Sequence, residues 1–146
     1  MRVTKSRDVP TVATPGGNTI SIVAAAWTGA SETMVLAQRQ DPGGTNPMHR
    51  KSSEAVIVIL EGVLTLVTED DETVLSTGDV AIVPAATIHS LQNRSRLPTR
   101  WVTTAAVDTR FETSDGQPIK PAWLERPTPA EGTNVQACHV PPQMHR

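Results

Sequence analysis

The stretch AVIVILEGVLTLVTEDDETVLSTGDVAIVP, Ala55–Pro84, contains four short apolar runs rich in Val, Ile and Thr. Turn-forming residues close each run: Glu61-Gly62, the acidic Glu69-Asp70-Asp71-Glu72, and Ser76-Thr77-Gly78-Asp79. Branched side chains pack well on a pleated surface and crowd a helix, so each run reads as a strand and each break as a hairpin or loop. The same alternation continues outward on both sides. TISIVAAAW and TMVLAQRQ precede the stretch, with Thr28-Gly29-Ala30-Ser31 and Asp41-Pro42-Gly43-Gly44 as punctuation, and IHSLQN and RWVTTAAV follow it. No segment before residue 108 sustains a 3.6-residue period. The chain therefore reads as all-β, with many short antiparallel strands forming a sandwich or a closed barrel of jelly-roll type. Six to eleven strands are expected over residues 18–107.

Both ends differ in composition. Residues 1–17 are polar and carry Pro10 and Pro15, and residues 108–146 hold six of the twelve prolines. Proline cannot donate to a central ladder, so 1–17 and 108–146 are expected as arms lying outside the barrel, on it or on a second subunit. A length of 146 residues suits one domain with its own core. The formal net charge is -2, and no stripe of Lys or Arg could follow a phosphate backbone, so nucleic acid is not an expected partner. The single cysteine, Cys138, allows no internal disulfide, and no apolar run is long enough for a bilayer or for a signal peptide. A cytoplasmic protein without membrane contact is expected.

The segment GDVAIVPAATIHSLQN, Gly78–Asn93, resembles the second motif of the cupin superfamily, a Gly, Pro, Gly, His and Asn at fixed spacings. Gly78, Pro84, His89 and Asn93 fall in register, with Ala86 standing for the second glycine. GGTNPMHRKSSEAVIVILEG resembles the first motif, with Gly43 or Gly44 opening the turn, His49 in the first ligand position and Gly62 closing the hairpin. The resemblance spans roughly Gln38–Val107 and implies a small single-domain cupin, a jelly-roll β-barrel. Metal-binding cupins usually present three histidines and a glutamate to the barrel interior, a set suited to Fe, Mn, Ni or Zn. Carried onto this chain, the second histidine falls at Lys51 and the glutamate at Ala55, so the motif is degenerate and no metal cofactor is expected. The alternative is a divalent transition metal held by His49 and His89 with an unusual ligand set. Glu54 would face away from the interior by strand alternation, and Arg50 likewise, toward a surface salt bridge.

His49, Lys51 and His89 are then the candidate catalytic residues. A protonated Lys51 would hold or stabilise a developing oxyanion while a histidine takes a proton alpha to a carbonyl, and a neutral Lys51 could instead form a Schiff base. Gln38, Ile57, Leu91 and Trp101 are the candidate substrate-binding residues, and Gln40, two along from Gln38, is the other glutamine of that strand. The reading this supports is a metal-independent isomerase, cyclase or lyase acting on a carbonyl-containing, polyketide-like small molecule. A metal-dependent cupin oxygenase or isomerase and a non-catalytic small-molecule binder remain open. Trp123 and Phe111, with the proline-spaced arms, suggest a homodimer. Cys138, His139 and His145 resemble a metal cluster by composition, but they sit in a Pro-rich tail.

Overall fold

The computed structural model describes residues 1–126. Twelve strands form two six-stranded antiparallel sheets. In chain order they are β1 (Thr11–Thr14), β2 (Asn18–Ala24), β3 (Thr33–Gln40), β4 (His49–Lys51), β5 (Ala55–Glu61), β6 (Val63–Thr68), β7 (Glu72–Ser76), β8 (Val80–Val83), β9 (His89–Gln92), β10 (Thr99–Ala106), β11 (Phe111–Thr113) and β12 (Pro118–Ile119). One sheet has the order β1-β2-β3-β10-β5-β8 and the other β12-β11-β4-β9-β6-β7. Among the described residues, helical structure is limited to single 3-10 turns, such as Ala26–Thr28 and Ala122–Leu124. This is the all-β jelly roll that the run of short branched segments implies, and no helix among the described residues is long and apolar enough to cross a membrane.

Sequential strands often lie in opposite sheets, so each hairpin must turn tightly between them. β5 passes to β6 through Gly62 alone, at φ +93°. A Cβ there would sit 2.9 Å from the Pro98 carbonyl oxygen, so the turn needs both the left-handed backbone and the missing side chain of glycine. Asn93 closes the other end. Its amide nitrogen donates to the carbonyls of Gln40 and Leu97 at 3.0 and 2.8 Å, fastening the loop after β9 to the end of β3.

Alternation along each strand sends one set of side chains inward, as the burial of Ala55, Ile57 and Ile59 on β5 shows. Two apolar clusters fill the space between the sheets. One contains Val12, Ile20, Ile22, Met34, Leu36, Ala105 and Phe111, with Trp27 and Trp123 packed on it. The other contains Ile57, Ile59, Leu64, Leu75, Val83, Leu91 and Trp101.

The arms differ from their sequence-based expectation. Nine strands, β2 to β10, fall within residues 18–107, but β1 pairs along its length with β2, and β11 joins β12 to the edge of β4. Residues 11–14 and 111–119 thus extend the sheets instead of lying outside them. Proline remains compatible with this because it sits at an edge: Pro118 opens β12, the outermost strand of its sheet. Phe111 and Trp123, expected to cover a subunit interface, meet inside the chain with their rings edge to face, 5.6 Å apart. Cys138, His139 and His145 lie outside the described residues.

Candidate active site

Strand β4 is only three residues long, and alternation places His49 and Lys51 on its inner side with Arg50 outside. Arg50 makes the surface ion pair expected of it, with Glu112 directly across on β11 at 2.7 Å. On the inner side, cross-strand pairing completes the cluster. His49 is opposite His89 on β9, with ring centroids 4.5 Å apart, and Lys51 is opposite Phe111 on β11, with its ammonium 5.6 Å from the ring centroid. Lys51 is only 8% exposed, so its amine points into the protein and not along the barrel mouth.

The hydrogen bonds fix the state of both imidazoles. His49 Nδ1–H donates to the Pro47 carbonyl at 2.8 Å, and His89 Nδ1–H donates to the Thr87 carbonyl at 2.9 Å. Each ring therefore presents its Nε2 as a lone pair. That of His49 accepts from the Lys51 amine at 3.3 Å, and that of His89 is buried with no partner among the described residues. Burial pushes the Lys51 amine down to about 8. Burial and then the Lys51 charge hold His89 down at about 4. The same two causes, with a smaller contribution from His89 and against the Pro47 hydrogen bond, bring His49 to about 3. Both histidines are neutral at pH 7, and Lys51 is the group poised to exchange a proton near neutrality.

The cluster opens onto a cavity of about 500 Å³. His49, Lys51, Gln38 and Leu91 line it, together with Val12, Ile20, Leu36, Asn46, Thr103, Phe111 and Trp123. Gln38 is held by Thr103, whose hydroxyl donates to Gln38 Oε1 at 2.9 Å. Asn46 is fixed by the Leu91 amide, which donates to its Oδ1 at 2.8 Å.

Not every candidate residue reaches this cavity. Ile57 and Trp101 are fully buried in the second apolar cluster, Trp101 with its indole N–H lacking an acceptor among the described residues. They point inward as alternation requires, but further along the barrel, where the interior is filled by side chains. His89 lies behind His49 and does not line the cavity. Gln40 is also buried, but its amide donates to Asn18 and to the Leu91 carbonyl, so it braces the strands instead of facing a ligand. Of the lining residues that the sequence left out, Ile20, Leu36, Asn46 and Thr103 belong to the barrel segment, and Val12, Phe111 and Trp123 come from the two arms. Only the apolar residues spaced between the prolines hinted at them.

The cupin domain family matches residues 37–105. The barrel has the cupin fold. Solved structures similar to this cupin include the polyketide cyclase RemF from Streptomyces resistomycificus, 23% identical, covering 75% of this chain and 81% of that one at a TM-score of 0.66. A sugar phosphate isomerase of the cupin superfamily from Silicibacter pomeroyi is 19% identical, covering 84% and 92% at 0.59. An RmlC-like cupin from Shewanella frigidimarina is 17% identical, covering 73% and 90% at 0.63. At these identities the likeness is one of fold. No curated protein matches the chain.

The metal that many cupins carry does not fit these residues. Ala55 is buried where the glutamate would stand, and Glu54 beside it is exposed. The Lys51 amine occupies the second histidine position and is bonded to the lone pair that His49 would offer a metal. Two neutral nitrogens, one of them engaged by an ammonium, fall short of the three or four protein donors such sites present. Among the described residues no three His, Cys, Asp or Glu side chains come together.

Proposed function

We propose that this cupin is a metal-independent isomerase, cyclase or lyase that moves a proton on a small carbonyl compound, with Lys51 as the acid-base residue. The observation that carries the reading is the Lys51–His49 pair at the wall of an apolar cavity, with an amine brought down to about 8. An acid-base group works best when its pKa lies near the operating pH, and here that group is the lysine and not a histidine. His49, neutral and locked in one tautomer by Pro47, accepts one Lys51 N–H and so aims the remaining amine hydrogens. His49 is thus first a positioning residue. Lys51 as the neutral amine takes the proton alpha to the carbonyl, and the ammonium so formed donates to the carbonyl oxygen, stabilises the negative charge that develops there, and returns that proton to the new carbon or to the leaving group, which completes the rearrangement or elimination. The dry apolar walls strengthen that interaction by excluding water.

The test is hydrogen-deuterium exchange at the alpha carbon of a panel of 1,3-dicarbonyl compounds, followed by NMR in deuterated buffer. Exchange should survive EDTA and fall at least about a hundredfold in Lys51→Met. Activity lost on chelation and restored by one particular metal would replace this reading by the metal-dependent one. Binding of the panel without any exchange would make the barrel a binding module.

A further inference from the structure

Among the described residues, the cation in this cavity has no counterion. No carboxylate among the described residues lines the cavity, and none of their ion pairs involves Lys51. The acidic residues nearest along the chain and on the paired strand are placed elsewhere: Glu54 is exposed, and Glu112 pairs with Arg50 on the outer side of the sheet. A buried ammonium without an anion is costly, and contact with one imidazole lone pair and the face of Phe111 offsets only part of that cost.

The neutral polar groups around it point to the same deficit. Gln38 Oε1 is taken by Thr103 and Asn46 Oδ1 by the Leu91 amide, and the amide nitrogens of both residues carry no hydrogen bond among the described residues. The imidazole acceptor that the described residues place on the cavity wall, His49 Nε2, is already occupied by Lys51. The polar hydrogens on the wall still unmatched by an acceptor are those of an ammonium and two carboxamide NH₂ groups, while each amide oxygen keeps one lone pair. A protonated amine would set a second cation beside Lys51 and an alcohol would leave the ammonium uncompensated, whereas an anionic oxygen takes these donors and neutralises the charge. Beyond this polar end the walls are Val12, Ile20, Leu36, Leu91, Phe111 and Trp123.

From this we infer that the cavity binds an amphipathic organic anion, a carboxylate or enolate on an apolar, ring-sized body, with Lys51 as its counterion and Gln38 and Asn46 as further donors. The inference deepens the proposed function by naming the charge and shape of its substrate. The anion is complementary to the site in the ground state, so affinity and turnover can be tested apart.

Calorimetry at pH 7 with 2-naphthoate, 2-naphthalenemethanol and 2-naphthylmethylamine as probes tests it. These probes share a bicyclic body and differ in head group. Naphthoate should bind at least about ten times more tightly than the alcohol, with the ammonium probe weakest, because a charge-assisted bond to a buried cation exceeds a neutral one by 1.4 kcal/mol or more, about tenfold in affinity. Lys51→Met, or Lys51→Gln if the first variant does not fold, should abolish the preference while leaving the alcohol's affinity nearly unchanged. Gln38→Leu should weaken naphthoate more than the alcohol. Equal affinities in the native protein, no binding of naphthoate, or a naphthoate preference that persists without Lys51 would overturn the inference. A naphthoate preference in a protein that exchanges no alpha hydrogen would uphold it while removing the proposed activity.

Discussion

Lys51→Met should make the protein more stable at pH 7. Met keeps the length and apolar stem of the side chain and deletes the ammonium, at a position 8% exposed. At about 1.4 kcal/mol per pH unit, a fall of the amine from 10.5 to about 8 sets about 3 kcal/mol against the folded state near neutrality. Against this, the variant leaves the His49 Nε2 acceptor without its partner, worth about 1 kcal/mol. The net gain is about 2 kcal/mol, or roughly 5–10 °C in Tm for a domain of this size. The pH dependence separates charge from packing. Because the folded-state value lies below the unfolded one, the unfolded chain holds more protons between about pH 8 and 10.5, and native stability rises with pH across that window. Lys51→Met lacks this rise, so its advantage should close by pH 10. Urea unfolding followed by tryptophan fluorescence at pH 7 and pH 10 measures both numbers. A variant less stable than the native protein at pH 7, or a gap equal at the two pH values, would refute the reasoning.

Acid should act through the histidines: their folded-state values of about 3 and 4 lie below the ordinary 6.5, so stability present at pH 7 is lost as pH falls below 6.5 toward 4. His89→Gln should flatten that loss in pH-dependent urea unfolding, and an unchanged slope would count against a buried neutral imidazole. In turnover assays His49→Gln should lower kcat by roughly tenfold or more, since it aims the amine. His89→Gln should do less, since its ring sits behind His49. Gly62→Ala should cost about 2 kcal/mol or more, because φ is +93° and the new methyl meets the Pro98 carbonyl at 2.9 Å. Ala86→Gly should be neutral or stabilising by up to about 1 kcal/mol, since Ala86 holds φ 66° at an exposed position; calorimetric melting of both variants checks the pair.

Ala86 also shows how far local sequence reaches. A motif position that calls for glycine keeps its left-handed backbone even when alanine stands there, with the Ala86 amide donating to the Lys51 carbonyl at 2.8 Å. The surrounding strands fix the turn, and the residue accommodates it. The strands themselves were legible for an equally local reason: branched residues, period-two alternation and turn formers act over a few positions, and they dictate an all-β chain whatever its final topology. Alternation further determined that His49 and Lys51 share a face, that Arg50 and Glu54 turn outward, and that Ala55 puts no carboxylate in the barrel.

What alternation cannot supply is depth along the barrel and the identity of neighbours from distant segments. Trp101, Ile57, Gln38 and Leu91 all point inward, yet the first two are packed in the filled end and the other two line the cavity. Pairing register across β4, β9 and β11 alone brought Phe111 over Lys51 and His89 beside His49. The arms gave no local sign of joining the sheets, because an edge strand of two to four residues carries too short a pattern to be read without its partner. The acidity of Lys51 is likewise a tertiary property. In the sequence it is one lysine among thirteen basic residues, and it departs from the ordinary value because folding removes its water.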